Sequence, residues 1–414
     1  MATIESQPRP LGRVEFTLLL AMAMALTALG IDIMLPALGD IRSAYDLAED
    51  STAVAALITV YMLGLALPQL VYGPLSDRFG RKPIMNVGFV IYIIGAVAAA
   101  LAPSLAALLV ARFIWGVGAA GPRGVTVSII RDRYEGDPMA RAMSFVFAIF
   151  VIVPVVAPTL GALLSELAGW RAVFLFCAAW AGVIAIWAIR LPETLKPEYR
   201  MELRMSRVLG AANEVVTNRV TAGYTVALTF LMGVFLSYIA SSELIIEDVF
   251  DLDNLFPVIF GVTAALVGAA LLANGTIVSR FGTRRLSHAM MMGYLALAVL
   301  FTLVALATAG RPSFWLFAAS FVPALVCFGL IFPNFNTIAM IPMGHIAGTA
   351  SALITATSLA GAALLGAILD QAYNGTVLPL AFGVLVYGLI ALSAVLWAEQ
   401  GKLFVPLKES AELP

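Results

Sequence analysis

The sequence predicts an all-α membrane protein of twelve transmembrane helices in two pseudo-symmetric sets of six. Three observations carry that prediction. Only 12% of the residues are charged, against roughly 25% in a soluble domain, and long apolar runs contain no charge at all. One short basic motif occurs twice, about half the chain apart. The Lys and Arg residues gather on alternate connections between the runs.

A helix needs about 20 apolar residues to cross the hydrocarbon core. Span 1 covers 15–36, and span 2 lies in the charge-free run 51–76. The run 83–111 breaks at Pro103-Ser104, giving span 3 and the start of span 4. Spans 5 and 6 occupy 142–165 and 172–189, and spans 7, 8 and 9 occupy 220–242, 254–279 and 286–310. The run 312–369 holds two spans, 10 and 11, and breaks around Ile341-Pro342-Met343-Gly344-His345; span 12 occupies 371–398. Continuous runs, rather than alternating ones, select helices over a β-barrel. Arg9 and Arg13 before an Ala-rich stretch imitate a secretion signal. The stretch is too long for one, and eleven spans follow. Cys177 and Cys327 fall inside spans and read as small apolar packing residues, implying neither disulfide nor metal.

Orientation follows from the bases. With the N-terminus in the cytoplasm, only Arg42, Arg171 and Arg311 fall in outer loops, and Arg112 and Arg123 lie within span 4. The other 19 of the 24 Lys and Arg are then cytoplasmic, so both termini are expected there. The outer connections are acidic, with Asp40 and Asp46 after span 1, and Glu247, Asp248, Asp251 and Asp253 after span 7. The longest polar segment, 191–219, reads as a cytoplasmic linker with a short surface helix. It divides a half at 1–190 from a half at 220–414.

The repeated motif is GPLSDRFGRKPI at 73–84, with a weaker copy, GTIVSRFGTRRL, at 275–286. Each copy joins the second and third spans of its half. Gly73 aligns with Gly275, Arg78 with Arg280, Gly80 with Gly282, and Asp77 with Ser279. Basic residues alone would serve as topology signals, but that leaves the glycines and the repetition unexplained. Gly73 and Gly80 are expected to permit close helix approach and a tight turn. Leu160-Gly161-Ala162-Leu163-Leu164 in span 5 is echoed by Leu365-Gly366-Ala367-Ile368-Leu369 in span 11. Pro154 and Pro158 each remove a helix donor and favour a bend in span 5. Repeated halves with a site between them are a transporter architecture.

GPLSDRFGRKPI closely resembles the loop signature of the major facilitator superfamily. Arg112 in ARFIWGVGAAG resembles the buried span-4 arginine of its drug:proton antiporters. VIVPVVAPTLGALL at 151–164 resembles their span-5 motif, with Ala157 where a glycine is usual. Asp32 in IDIMLPAL, Arg131-Asp132 closing span 4, and AGTASALI at 347–354 resemble the bacterial Bcr/CflA drug-resistance subfamily. The resemblance implies alternating access in the bacterial inner membrane, with export of small drug-like molecules against proton entry by a monomer without cofactors. The alternative is a proton-coupled importer or a metabolite exporter of the same fold. By the same resemblance Asp77 has a conformational role, and Gly73, Arg78, Gly80 and Arg81 are expected in the same gate element; Pro154, Pro158 and Gly161 are expected to give span 5 a bend that serves gating or is purely structural.

Residue chemistry adds its own expectations. An ionisable group inside a span costs roughly 2.5–3.5 kcal/mol on insertion scales. Asp32, a turn before Pro36, and Arg112, two turns after Ser104, should lie at similar depth. A carboxyl group takes up and releases protons, whereas a guanidinium stays charged and biases that equilibrium. Asp32 is therefore the proton carrier expected and Arg112 its modulator, unless the two merely fix helix packing. Arg123 shares a face with Arg112 three turns on, and either meets an anionic group in the cavity or snorkels to water. Glu243 near the outer end of span 7 receives a proton or a cationic substrate, or is simply hydrated beside the acidic loop. Tyr61, Trp115, Phe147, Tyr238 and Phe335 line a cavity or pack against neighbours, and His288 and His345 read as surface residues. No Gly-Lys-Ser/Thr phosphate loop, HExxH or cysteine cluster occurs, which favours an ion gradient over ATP, gives no sign of an enzyme, and leaves no role for nucleic acid.

Overall fold

A computed structural model describes residues 11–48, 51–134, 136–195 and 205–404. Both terminal segments and residues 196–204 of the expected linker lie outside the described residues, as does the side chain of Phe147. Among the described residues, twelve helices are long and apolar enough to cross a membrane. Spans 1 to 6 are Arg13–Ala44, Thr52–Phe79, Arg81–Ala100, Leu105–Arg133, Arg141–Ala168 and Trp170–Ala188. Spans 7 to 12 are Arg219–Val249, Phe256–Phe281, Thr283–Ala307, Phe314–Ile346, Gly348–Gln371 and Leu378–Ala398. A further helix, Met205–Thr217, occupies the polar segment before span 7.

Local chemistry sets the span ends. The Ser104 hydroxyl accepts from the Ala107 amide at 3.3 Å, capping span 4, and Asn218 Oδ1 accepts from Thr221 N at 3.1 Å, capping span 7. Gly80, Gly169 and Gly282 adopt positive φ between consecutive spans, where a side chain would be strained. Span 1 runs beyond its expected end and is not one straight helix. Its α-helix stops at Asp32, a 3₁₀ turn covers Leu35–Ala37, and a short helix covers Leu38–Ala44. Pro36, within that turn, has no amide hydrogen to donate to the α pattern. Span 7 has a matching irregularity, a π turn at Ile245–Val249. Span 5 stays helical through Pro154 and Pro158.

Spans 2, 3 and 4 pack backbone to backbone. A Cβ on Gly116 would fall 2.2 Å from the Tyr61 carbonyl oxygen, and one on Gly118 would fall 2.1 Å from the Tyr92 nitrogen. Across the two sets of six, span 2 meets span 11 and span 5 meets span 8. Large apolar residues such as Ile94, Leu101, Val110, Ile186 and Leu303 stay exposed on the outside of the bundle, as a lipid-facing surface requires. One end of the bundle carries the repeated motif and is basic. The opposite end carries Asp40, Glu166, Glu247 and Asp248 and is acidic.

Candidate functional site

The centre of the first six spans is organised on span-1 carbonyls. Arg112, fully buried, donates from Nη1 to Gly30 O at 2.7 Å and from Nε to Leu57 O at 3.2 Å. Its guanidinium carbon lies 4.3 Å from the Tyr61 ring centre and 4.8 Å from that of Trp115, within cation–π range. Tyr61 donates to Thr27 O at 3.1 Å and Tyr92 to Leu26 O at 3.0 Å. Arg112 thus reaches the chain two residues before Asp32, yet the two groups form no ion pair. Asp32 is 4% exposed, and among the described residues its carboxyl group has neither a hydrogen bond nor an ion pair. Tyr61 stands within electrostatic range of Asp32, Arg112 and Arg123. Gly161 of span 5 completes the packing: a Cβ there would fall 1.8 Å from the Ile33 carbonyl oxygen.

Arg123 is half-buried and has no hydrogen bond or ion pair among the described residues. Tyr61, Trp115, Tyr238 and Phe335 are all buried, Tyr238 between Phe260 and Phe321 with ring centres at 6.2 and 5.1 Å. Glu243 is neither free nor simply hydrated. Its carboxylate takes a hydrogen bond from Arg42 Nη2 at 3.0 Å, with the two side chains 9% and 6% exposed. Arg42, expected in a solvated loop, therefore joins span 1 to span 7 across the two sets of six. The pair borders a cavity of about 720 Å³ at the acidic end, lined also by Pro36, Gly39, Glu166 and Asp248. Nearby, between spans 11 and 12, Tyr373 donates to Asp248 Oδ2 at 3.1 Å. Burial and then the Asp248 carboxylate raise its hydroxyl pKa, so it remains a donor.

At the basic end Arg81 is nearly enclosed. It contacts Asp77 Oδ1, Ser76 Oγ at 2.7 Å and Asp132 Oδ2 at 2.8 Å. Glu193, just after span 6, accepts from the Arg81 and Lys82 amides at 2.9 and 3.1 Å. Gly80 has φ 105°, and a Cβ there would fall 2.5 Å from Glu193 Oε2. Arg78 is exposed beside the Phe79 ring. A Cβ added at Gly73 would meet nothing within 4 Å. The close approach expected of both motif glycines belongs to Gly80 alone.

Two buried groups escaped the sequence reading. Asp370, which ends a charge-free run, accepts from Ser237 and Ser241, each at 2.7 Å. Two serines spaced i, i+4 on span 7 were its one available signal. His288, expected at the surface, is 1% exposed. Its Nε2 lies 2.8 Å from Tyr224 Oη, which donates to Glu399 at 2.7 Å. The Phe404 amide donates to its Nδ1 at 3.0 Å. His345 is exposed as expected, 2.9 Å from Glu214. Among the described residues no group of three or more His, Cys, Asp or Glu is arranged to hold a metal.

The family model described as Major Facilitator Superfamily matches residues 20–367. The chain is 29% identical to an uncharacterized MFS-type transporter, YdgK, of Bacillus subtilis, over 86% of this chain and 88% of that relative. It is 29% identical to Multidrug resistance protein D of Escherichia coli, over 88% and 91% of the two chains. To a bicyclomycin resistance protein homolog of Haemophilus influenzae it is 25% identical, over 89% and 92%. Among solved structures, the partially occluded inward-open xylose transporter XylE of Escherichia coli superposes with a TM-score of 0.73 at 12% identity, over 95% and 99% of the chains. A bacterial homolog of the human lysosomal transporter Spinster, in an inward-facing conformation, gives 0.72 at 17% identity, over 94% and 96%. These structures share the fold, and the family is one of transporters rather than enzymes. A match over most of the chain, carried by twelve spans of this arrangement, makes the protein a multi-pass secondary transporter of the major facilitator superfamily.

Proposed function

We propose that the protein exports small drug-like molecules in exchange for protons, with the basic end and both termini facing the cytoplasm of a bacterial inner membrane. The observation that carries this reading is Asp32. A carboxyl group in a span, 4% exposed and without a hydrogen bond or ion pair among the described residues, is costly to hold ionised and unpartnered. It stands where the span-1 α-helix stops, beside a backbone that Arg112 and Tyr61 hold in place. Taking up a proton there removes the cost, and binding substrate nearby competes with it. The printed names of the drug-resistance relatives point to the same class of cargo. Arg123, with no anionic partner among the described residues, favours neutral, zwitterionic or anionic cargo over strongly cationic cargo. Asp77, Arg78, Gly80 and Arg81 form the gate element at the cytoplasmic side. Pro154, Pro158 and Gly161 shape the wall that span 5 contributes, and the cycle is completed within one chain.

The test has two parts. Cells expressing the chain are profiled against a panel of antibiotics that includes bicyclomycin, with and without a proton uncoupler. The best compound is then followed in vesicles bearing an imposed pH gradient. Export should require the gradient, and Asp32→Asn should abolish gradient-driven accumulation while the purified variant remains folded. Full proton-driven transport by Asp32→Asn would remove Asp32 from the coupling. Uptake down the gradient, or export confined to metabolites, would replace drug export with one of those readings.

A further inference from the structure

We infer that Asp370 is a second proton-binding site, built between spans 11 and 7 in the last six spans and separate from Asp32. Asp370 lies one residue before the end of span 11 and is 4% exposed. Its Oδ1 accepts from the Ser237 and Ser241 hydroxyls, both at 2.7 Å, while Oδ2 has no partner among the described residues. Those serines are one helical turn apart, so span 7 offers two donors to a single oxygen.

The surroundings supply no counter-charge. Span 11 packs chiefly against spans 7 and 2, and also against the helix Met205–Thr217 and spans 10 and 12, and no Lys, Arg or His among the described residues lies within ion-pair distance of Asp370. From span 12, Tyr387 is the ionisable neighbour that feels its charge, and Tyr387 donates to Leu365 O at 3.1 Å instead. From span 7, Glu243 turns to Arg42. Beyond span 11, Tyr373 turns to Asp248. A buried carboxylate left without a cation is costly. A neutral carboxyl group satisfies the same geometry, because carbonyl Oδ1 keeps both serine bonds and Oδ2 carries the proton taken from water. A sodium ion fits less well. It needs several oxygen ligands, whereas both hydroxyls already point their hydrogens at the carboxylate.

The existence of this site does not depend on the export reading. Its consequence, a second proton per cycle, does. Infrared difference spectroscopy of the full-length protein in lipid vesicles, titrated with acid, reads protonated carboxyl groups through their C=O stretch without any substrate. Asp370→Asn retains an acceptor for both serines and should remove one such band, distinct from the band removed by Asp32→Asn. The double variant Ser237→Ala/Ser241→Ala should move the Asp370 band to higher wavenumber, because its carbonyl loses both hydrogen bonds. This variant decides the question if Asp370→Asn does not fold. No band lost in the first variant, or no band moved in the second, overturns the assignment, as does a band abolished by sodium chloride at constant pH. Loss of the Asp370 band in Asp370→Asn supports the site whether or not transport depends on Asp32, so failure of the export reading is distinguishable from failure of this one.

Discussion

The two copies of the basic motif have the same backbone and different clamps. Each turns at a glycine with positive φ, 105° at Gly80 and 79° at Gly282, and in each an arginine lies beside the following phenylalanine. Each is also tied to a carboxylate beyond the sixth span of its set, Glu193 in one and Glu399 in the other. The first copy adds Asp77 and Asp132 around a buried Arg81. In the second, Ser279 replaces the aspartate and donates to Thr276 O. Arg284 meets Glu399 at 3.3 Å without the geometry of a hydrogen bond, and Glu399 is held by Tyr224 beside His288. The repetition therefore preserves a turn, while the charged clamp around a buried arginine is concentrated in the first copy. Tyrosine and histidine make the second copy a tether.

The largest effect that would break this contrast concerns the two arginines. Removing one member of a buried ion pair costs about 3–5 kcal/mol, and Arg81→Ala strands two carboxylates at once. Its unfolding temperature in detergent should fall well below that of Arg284→Ala. The latter strands one carboxylate, Glu399, which stays bonded to Tyr224 and had no hydrogen bond from Arg284 to lose, so its loss should be the smaller. Equal losses would mean that the copies are energetically equivalent. Asp77→Asn tests the switching itself. Asp77 is 34% exposed, so its pair contributes only about 0.2–1 kcal/mol to folding. Turnover in vesicles should slow several-fold with little change in binding. Unchanged turnover would reduce the motif to a topology signal. The smallest effect separates the motif glycines. Gly73→Ala should stay within about 0.5 kcal/mol of the parent, since the added Cβ meets nothing within 4 Å, whereas Gly80→Ala should be clearly destabilised by its backbone and by Glu193.

Much of the architecture was legible because hydrocarbon imposes a length. Runs without charge have to be about as long as the membrane is thick, and breaks such as Pro103-Ser104 coincide with a cap the backbone needs. Asp32 and Arg112 were legible as rare charges in apolar surroundings. What stayed hidden depends on pairing across distance. Arg42 and Glu243 are 201 residues apart; alone, one looks like a loop residue and the other like a charge near the outer end of a span. Asp370 looks like the end of a run until two serines on another helix are seen to face it. His288 sits near a span end, where exposure is the ordinary expectation; its burial depends on Tyr224 and on the chain returning at Phe404. Span 1 extends to Ala44 because a polar-looking segment, Leu38–Ala44, buries Leu38, Ile41 and Arg42 against neighbours.

The glycine contacts within spans 2, 3 and 4 have a consequence for exchange with solvent. Backbones that approach so closely at Gly64, Gly95, Gly116 and Gly118 leave no room for one helix to loosen while its neighbours stay fixed. Their amide hydrogens should exchange with deuterium as a single cooperative unit, all slow or all fast together. The seam between spans 5 and 8 is looser, with Gly261 allowing a Cβ 3.0 Å from the Val155 oxygen, and its amides should open independently of that block.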